Sequence, residues 1–173
     1  MDTRELPAEV AETMSTFLTA ELTTVSGRGV PQTWPVLPSI EWHSGRISIM
    51  TSIGLPQKAI NIRRRPDVCL LFSDPTGSGL SDPPSVLVEG VAAVSEGVLT
   101  SLSDLEDTNL RSALERDAAR LLQRQPAVGI YARNPVTRTL MGWYFLRLLI
   151  TVVPRRVSWG WGSPRTWTVL DVA

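Results

Sequence analysis

"GRISIMTSIGLPQKAINIRRRPDVCLLFSD", residues 45–74, changes its hydrophobic period twice. "GRISIMTS" follows a period of two and predicts a strand near 46–51. After Ser52 the period lengthens to that of a helix, with Leu55, Ala59 and Ile62 on one stripe. Pro56 suits a first turn and Pro66 stops the helix. "DVCLLFSD" then returns to a buried strand. The short helix between the strands carries Lys58, the chain's one lysine beside sixteen arginines.

On the N-terminal side, Val10, Met14, Phe17 and Leu18 recur at helical spacing, which predicts a helix over 7–20. "SGRG" and "HSG" are turn signals, and they divide the following residues into strands near 21–26, 31–41 and 46–51. Pro31, Pro35 and Pro38 remove ladder donors from the second of these, so it is expected at a sheet edge or at a bulge. On the C-terminal side, "PTGSGLSDPP" reads as an exposed loop and "SVLVEGVAAVSE" as a strand. There Gly90 permits a bulge or a close approach. Leu110, Leu114, Ala118, Leu121 and Leu122 predict a helix ending before Pro126. "GWYFLRLLITVVP" and "RRVSWGWG" form a long strand or a hairpin, with Pro154 marking a kink or break. Six to seven short antiparallel strands with inserted helices make a mainly β (α+β) chain, and hiding the edges of that many strands predicts a closed or partly closed β-barrel.

The chain has 173 residues, which suits one domain with one core. Lys plus Arg and Asp plus Glu balance at 17 each, without the basic excess of most nucleic-acid binders. One cysteine, Cys69, forms no internal disulfide and is expected to be a buried thiol. The longest apolar stretch, "YFLRLLITVV", is interrupted by Arg147, far short of a membrane span. A cytoplasmic location away from membranes is the expectation.

The succession "ELTTVSGRGVPQTWPV", "GRISIMTS", "KAINIRRRPDVCLLFSD" and "VLVEGVAAV" resembles the flavin-binding split β-barrel family. That family includes pyridoxamine-5'-phosphate-oxidase-like proteins and flavin- or deazaflavin-dependent reductases. A fifth segment, "WYFLRLLITVVPRRVSWGW", resembles its closing strand, and the order of segments carries the likeness more than any one motif. The resemblance implies FMN, or the deazaflavin coenzyme F-420, lying in a groove between two barrels of a homodimer. It places the cofactor's phosphate on Thr51 and Ser52 at a strand end and on Lys58 of the next helix. A compact ammonium and the free amides of a first turn suit a phosphate physically as well. Asn61 and Arg65 follow on the same side of the helix and are expected to extend the grip. A surface lysine is the plain alternative for Lys58, and solvated charge the better reading of Arg63 and Arg64.

By the same resemblance, Trp34, Pro35, Val36 and Leu37 wall the ring, with Ile49 beneath; for Trp34 a packed core or interface role weighs equally. The oxidase branch places an arginine and a lysine along this strand, whereas this chain has "TWPVLP". A reductase, or a flavin binder of unknown turnover, is therefore the better reading than pyridoxamine-phosphate oxidation. Hydride would pass between the ring and a small substrate, and no acid/base constellation need be visible. A redox sensor or carrier without turnover, and a structural barrel without cofactor, remain as alternatives. With one histidine, His43, in an exposed turn, no zinc site or cysteine–histidine pair is expected. No "GxSxG" element supports a hydrolase. Trp143, Trp159, Trp161 and Trp167 gather near the C-terminus and are read first as dimer contact, second as a lid.

Overall fold

Strands 20–25, 67–72 and 85–94 alternate buried with more exposed positions, and they belong to one eight-stranded antiparallel sheet curled around an aliphatic core. The computed structural model describes residues 6–124 and 146–172. In chain order the elements are α1 (Ala8–Thr16), β1 (Ala20–Val25), β2 (Pro31–Val36), β3 (Pro38–Glu41), β4 (Arg46–Ser52) and α2 (Gln57–Arg64). β5 (Asp67–Phe72), β6 (Ser85–Val94), α3 (Thr108–Arg124), β7 (Arg147–Gly160) and β8 (Thr168–Asp171) follow. The spatial order is β2-β1-β5-β6-β7-β4-β3, with β8 paired to the second half of β7.

The two ends of that path, β2 and β3, are consecutive in the chain and separated by Leu37 alone. One bent segment, 31–41, therefore closes the sheet: Val36 pairs with Ala20 on one side and Pro38 with Ile49 on the other. The prolines explain why the segment divides. β2 pairs only with β1, so Pro31 and Pro35 sit on an edge where a missing donor is tolerated, as the sequence suggests.

Leu22, Ile47, Ile49, Leu70, Phe72, Val86, Val88, Ile150 and Val152 are fully buried inside. Each contributes about 1.5–3 kcal/mol relative to exposure. A smaller cluster forms outside the barrel, where Leu105, Leu110 and Leu114 pack on Met50, Leu99, Leu102 and Leu149. The apolar stripe of α3 thus covers the outer face of β4 and β7.

Four local expectations change. The first helix stops at Thr16, because Phe17 turns extended (φ −63°, ψ 131°) and drops its ring into the core. Cys69 is half-buried: Val68, Leu70 and Phe72 take the inward positions of β5, so the thiol lies on the outer face, with its pKa raised by the burial it does have. Leu55 precedes α2 and is exposed, leaving Ala59 and Ile62 as the buried stripe. Pro154 neither breaks β7 nor makes a hairpin. The strand runs through it because the register shifts opposite Glu89 and Gly90, leaving Arg155 as the bulged residue. Trp143 and Pro126 lie outside the described residues. Among the described residues, no helix is long and apolar enough to cross a membrane.

Candidate functional site

β4 ends at Ser52 and α2 begins at Gln57, so a four-residue turn joins the two elements that carry Thr51 and Lys58. The Leu55 amide donates to the Ser52 carbonyl at 3.0 Å and the Gly54 amide to Ser52 Oγ at 3.1 Å, which fixes that turn. Lys58 Nζ donates to Thr51 Oγ1 at 2.9 Å and lies 5.7 Å from the centroid of the Trp34 ring. The ammonium is held against a hydroxyl and an aromatic face, a geometry that attracts a cation electrostatically.

Lys58 is 7% exposed, and among the described residues it forms no ion pair. Its burial lowers its pKa. Thr51 takes one of three ammonium hydrogens and leaves two for another acceptor. The N-terminus of α2 has Pro56 as its cap residue and no side-chain cap bond. A cation without a counter-ion therefore stands beside a helix end with unfilled amides, and both call for an anion.

Asn61 does not join this cradle. It is fully buried and donates from Nδ2 to Thr24 Oγ1 at 3.0 Å and to Gln32 Oε1 at 2.9 Å, while its Oδ1 accepts from Gln57 Nε2 at 2.8 Å. The two bonds from Nδ2 fasten α2 across β1 and β2, and the third stays within the helix. Arg65 is exposed in an extended C-cap and lies near Gly29 in the β1–β2 turn, with Arg64 against Gly27. Arg63 donates to the Ser95 carbonyl at 3.0 Å. The helix twist that puts Asn61 and Arg65 on the side of Lys58 in projection aims Asn61 into the protein, and the chain leaves the helix before Arg65 completes the turn. Thr24 and Gln32 had no signal beyond being polar residues on strands whose alternation points them inward.

The ring-wall residues divide by the pleat. Pro35 is exposed, Trp34 and Leu37 are partly buried, and Val36 turns into the core. Ile49 has no exposed surface and packs inside the barrel. Among the described residues, the C-terminal tryptophans occupy three different settings. Trp159 is buried in the core, Trp161 is 51% exposed with its Nε1 donating to the Asp82 carbonyl at 2.8 Å, and Trp167 covers Gly160. A cleft of about 260 Å³ lies elsewhere, between the end of α1, the β2–β3 bend and α3. Of the sequence-predicted residues it touches only Leu37. Lys58 lines neither this cleft nor four others at the surface of β3, β4, β6, β7 and α1.

No family model matches the chain, and no curated protein matches it by sequence. Solved structures do match. A protein related to general stress protein 26 of the pyridoxinephosphate oxidase family, from Clostridium acetobutylicum, superposes with a TM-score of 0.58 over 99% of this chain and 97% of its own, at 11% identity. The fold is the pyridoxamine-phosphate-oxidase-like split barrel. An F-420 reductase shares this split barrel at TM-score 0.55, 19% identity and 88% of this chain, with 98% of its own length covered. A haem-binding protein from Mycobacterium smegmatis matches at 0.53 and 19% identity over 96% of this chain, which spans 59% of that longer protein. At these identities the split barrel is what is shared.

Proposed function

We propose that the chain is an FMN- or deazaflavin-dependent oxidoreductase that holds its cofactor's phosphate at Lys58. The observation that carries this reading is the buried ammonium without a counter-ion, set beside the uncapped start of α2. A phosphate meets both requirements at once, since it offers several acceptor oxygens and negative charge to a point cation and to helix amides. The F-420 reductase of the same fold keeps the deazaflavin beside FMN as a candidate.

A bound flavin or deazaflavin supplies hydride transfer to or from a small molecule, so the protein needs to bind, orient and exclude water. Lys58 directs two free N–H donors to the phosphate, and Thr51 Oγ1 fixes the ammonium in place. Ser52 shapes the turn that aims the first amides of α2. Trp34 flanks the lysine with its aromatic face and would help hold the ammonium toward the phosphate. Asn61 acts through another residue: by fastening α2 to β1 and β2, it positions Lys58.

The start of α2 lies at the surface, with Leu55 and Ile60 exposed on either side of Lys58 in the chain. In this reading a homodimer completes the ring's groove, with Leu55 (57% exposed) and Ile60 (37% exposed) offering apolar surface to the second copy. Fluorescence titration of the wild type and Lys58→Ala with FMN, and separately with coenzyme F-420, tests the reading. One cofactor is expected to bind at micromolar affinity or better, with the substitution weakening it by about 1.5–3 kcal/mol, the size of a hydrogen bond to a charged group. Binding of neither would remove the oxidoreductase assignment. Tight binding without reduction by a nicotinamide or reduced deazaflavin donor would point to a carrier or sensor.

A further inference from the structure

We propose that Glu41, His43 and Asp107 bind one divalent transition-metal ion, zinc being the ion their donor set suits. Glu41 ends β3, His43 stands in the β3–β4 turn, and Asp107 immediately precedes α3. One potential ligand atom from each lies within 4.8 Å of the other two. None of the described hydrogen bonds or ion pairs joins the three, although Asp107 and His43 are close enough to interact electrostatically. An ion at the centre of such a triangle is less than about 3 Å from every ligand atom, and side-chain rotations of under about 1 Å reach the ~2.0–2.2 Å of zinc–nitrogen and zinc–oxygen bonds.

Glu41 supplies the strongest reason to place a cation there. It is only 8% exposed, yet among the described residues it has no ion pair. Arg46, opposite it in the ladder, is exposed and forms none with it. Its oxygens accept hydroxyl hydrogens from Ser48 (Oε1, 2.6 Å) and Ser44 (Oε2, 3.1 Å). Neutral donors orient a carboxylate without neutralising it, and buried charges are ordinarily paired or bound to metal. Each oxygen keeps a lone pair for an ion.

Asp107 is oriented in the same way. Its Oδ1 accepts the amides of Asn109 (2.9 Å) and Leu110 (3.0 Å) at the start of α3, and Oδ2 remains for the ion. His43 is exposed and makes no described hydrogen bond. An imidazole nitrogen with two carboxylates suits zinc over magnesium or calcium, which prefer all-oxygen shells, and water fills the open positions. Arg116 lines the cleft beside these residues and opposes a cation, but two carboxylates outweigh one guanidinium. The ion would pin the β3–β4 turn to α3, adding to the small apolar cluster and the Ser39–Asp117 hydrogen bond that already hold that helix.

The test uses the full chain, stripped with a chelator and titrated with zinc chloride by calorimetry and by thermal unfolding. One zinc per chain is expected, with a Tm that rises with free zinc because only the folded chain assembles the site. His43→Ala and Asp107→Asn are expected to weaken binding at least about tenfold and to remove the Tm rise. Both should unfold at the wild-type temperature without zinc, since His43 is exposed and an amide at position 107 still caps α3. Cys69→Ser should bind zinc as the wild type does. No stoichiometric zinc, undiminished binding by His43→Ala, or equal affinity for magnesium would overturn the proposal.

Discussion

Burial of the Lys58 ammonium takes it out of water, with the Thr51 hydroxyl and the Trp34 ring beside it. Its folded-state pKa is accordingly lowered. The unfolded chain therefore holds this proton to higher pH than the folded chain does, and stability rises with pH between the lowered value and 10.5, the burial cost being fully present below that window. Cofactor-free wild type should gain stability relative to Lys58→Met as pH rises through it, measured by urea unfolding at a series of pH values. Phosphate binding has the opposite dependence, because it needs the charged form. At Asn61, truncation to alanine leaves the buried Thr24 hydroxyl and two glutamine side chains without their shared partner. A loss of about 1–3 kcal/mol in urea unfolding is expected, together with weaker cofactor binding if α2 shifts. An unchanged midpoint would show that water replaces the amide.

At the scale of elements, β6 and β7 depend on one bulge. A Cβ on Gly90 would stand 2.4 Å from the Val153 carbonyl oxygen and 3.1 Å from Pro154 Cα, both backbone atoms that cannot rotate away. Gly90→Ala is expected to destabilise the protein by about 1–3 kcal/mol through forced backbone movement, as read by thermal unfolding. Wild-type stability in this variant would mean the bulge can migrate along the pair. The same element shows how far a strand pattern can be read. Gly90 and Pro154 each announce an irregularity, but only the ladder shows that they face one another and that the two irregularities are a single bulge. For α3 the stripe Leu110 and Leu114 is legible as amphipathic. A stripe does not say what covers it, and the answer is the outer face of β4 and β7.

For the molecule as a whole, the barrel closes where 31–41 bends, and its proposed cofactor groove needs a second barrel. Sedimentation at micromolar concentration should therefore give the mass of two chains. A single-chain mass would remove the shared groove while leaving the fold intact.

The sequence alone determined the alternation of strands and helices, the edge character of the proline-rich segment, and Lys58 as the one lysine beside a helix start. These are local properties: period, donor loss and charge are written into neighbouring residues. Tertiary structure decided which way the side chains of α2 turn, sending Asn61 into the protein and Arg65 away from Lys58. It also brought Asp107 to His43 and Glu41, residues far apart in the chain. Such convergence depends on how the sheet curls and where α3 lies against it, and no spacing within a single segment encodes that.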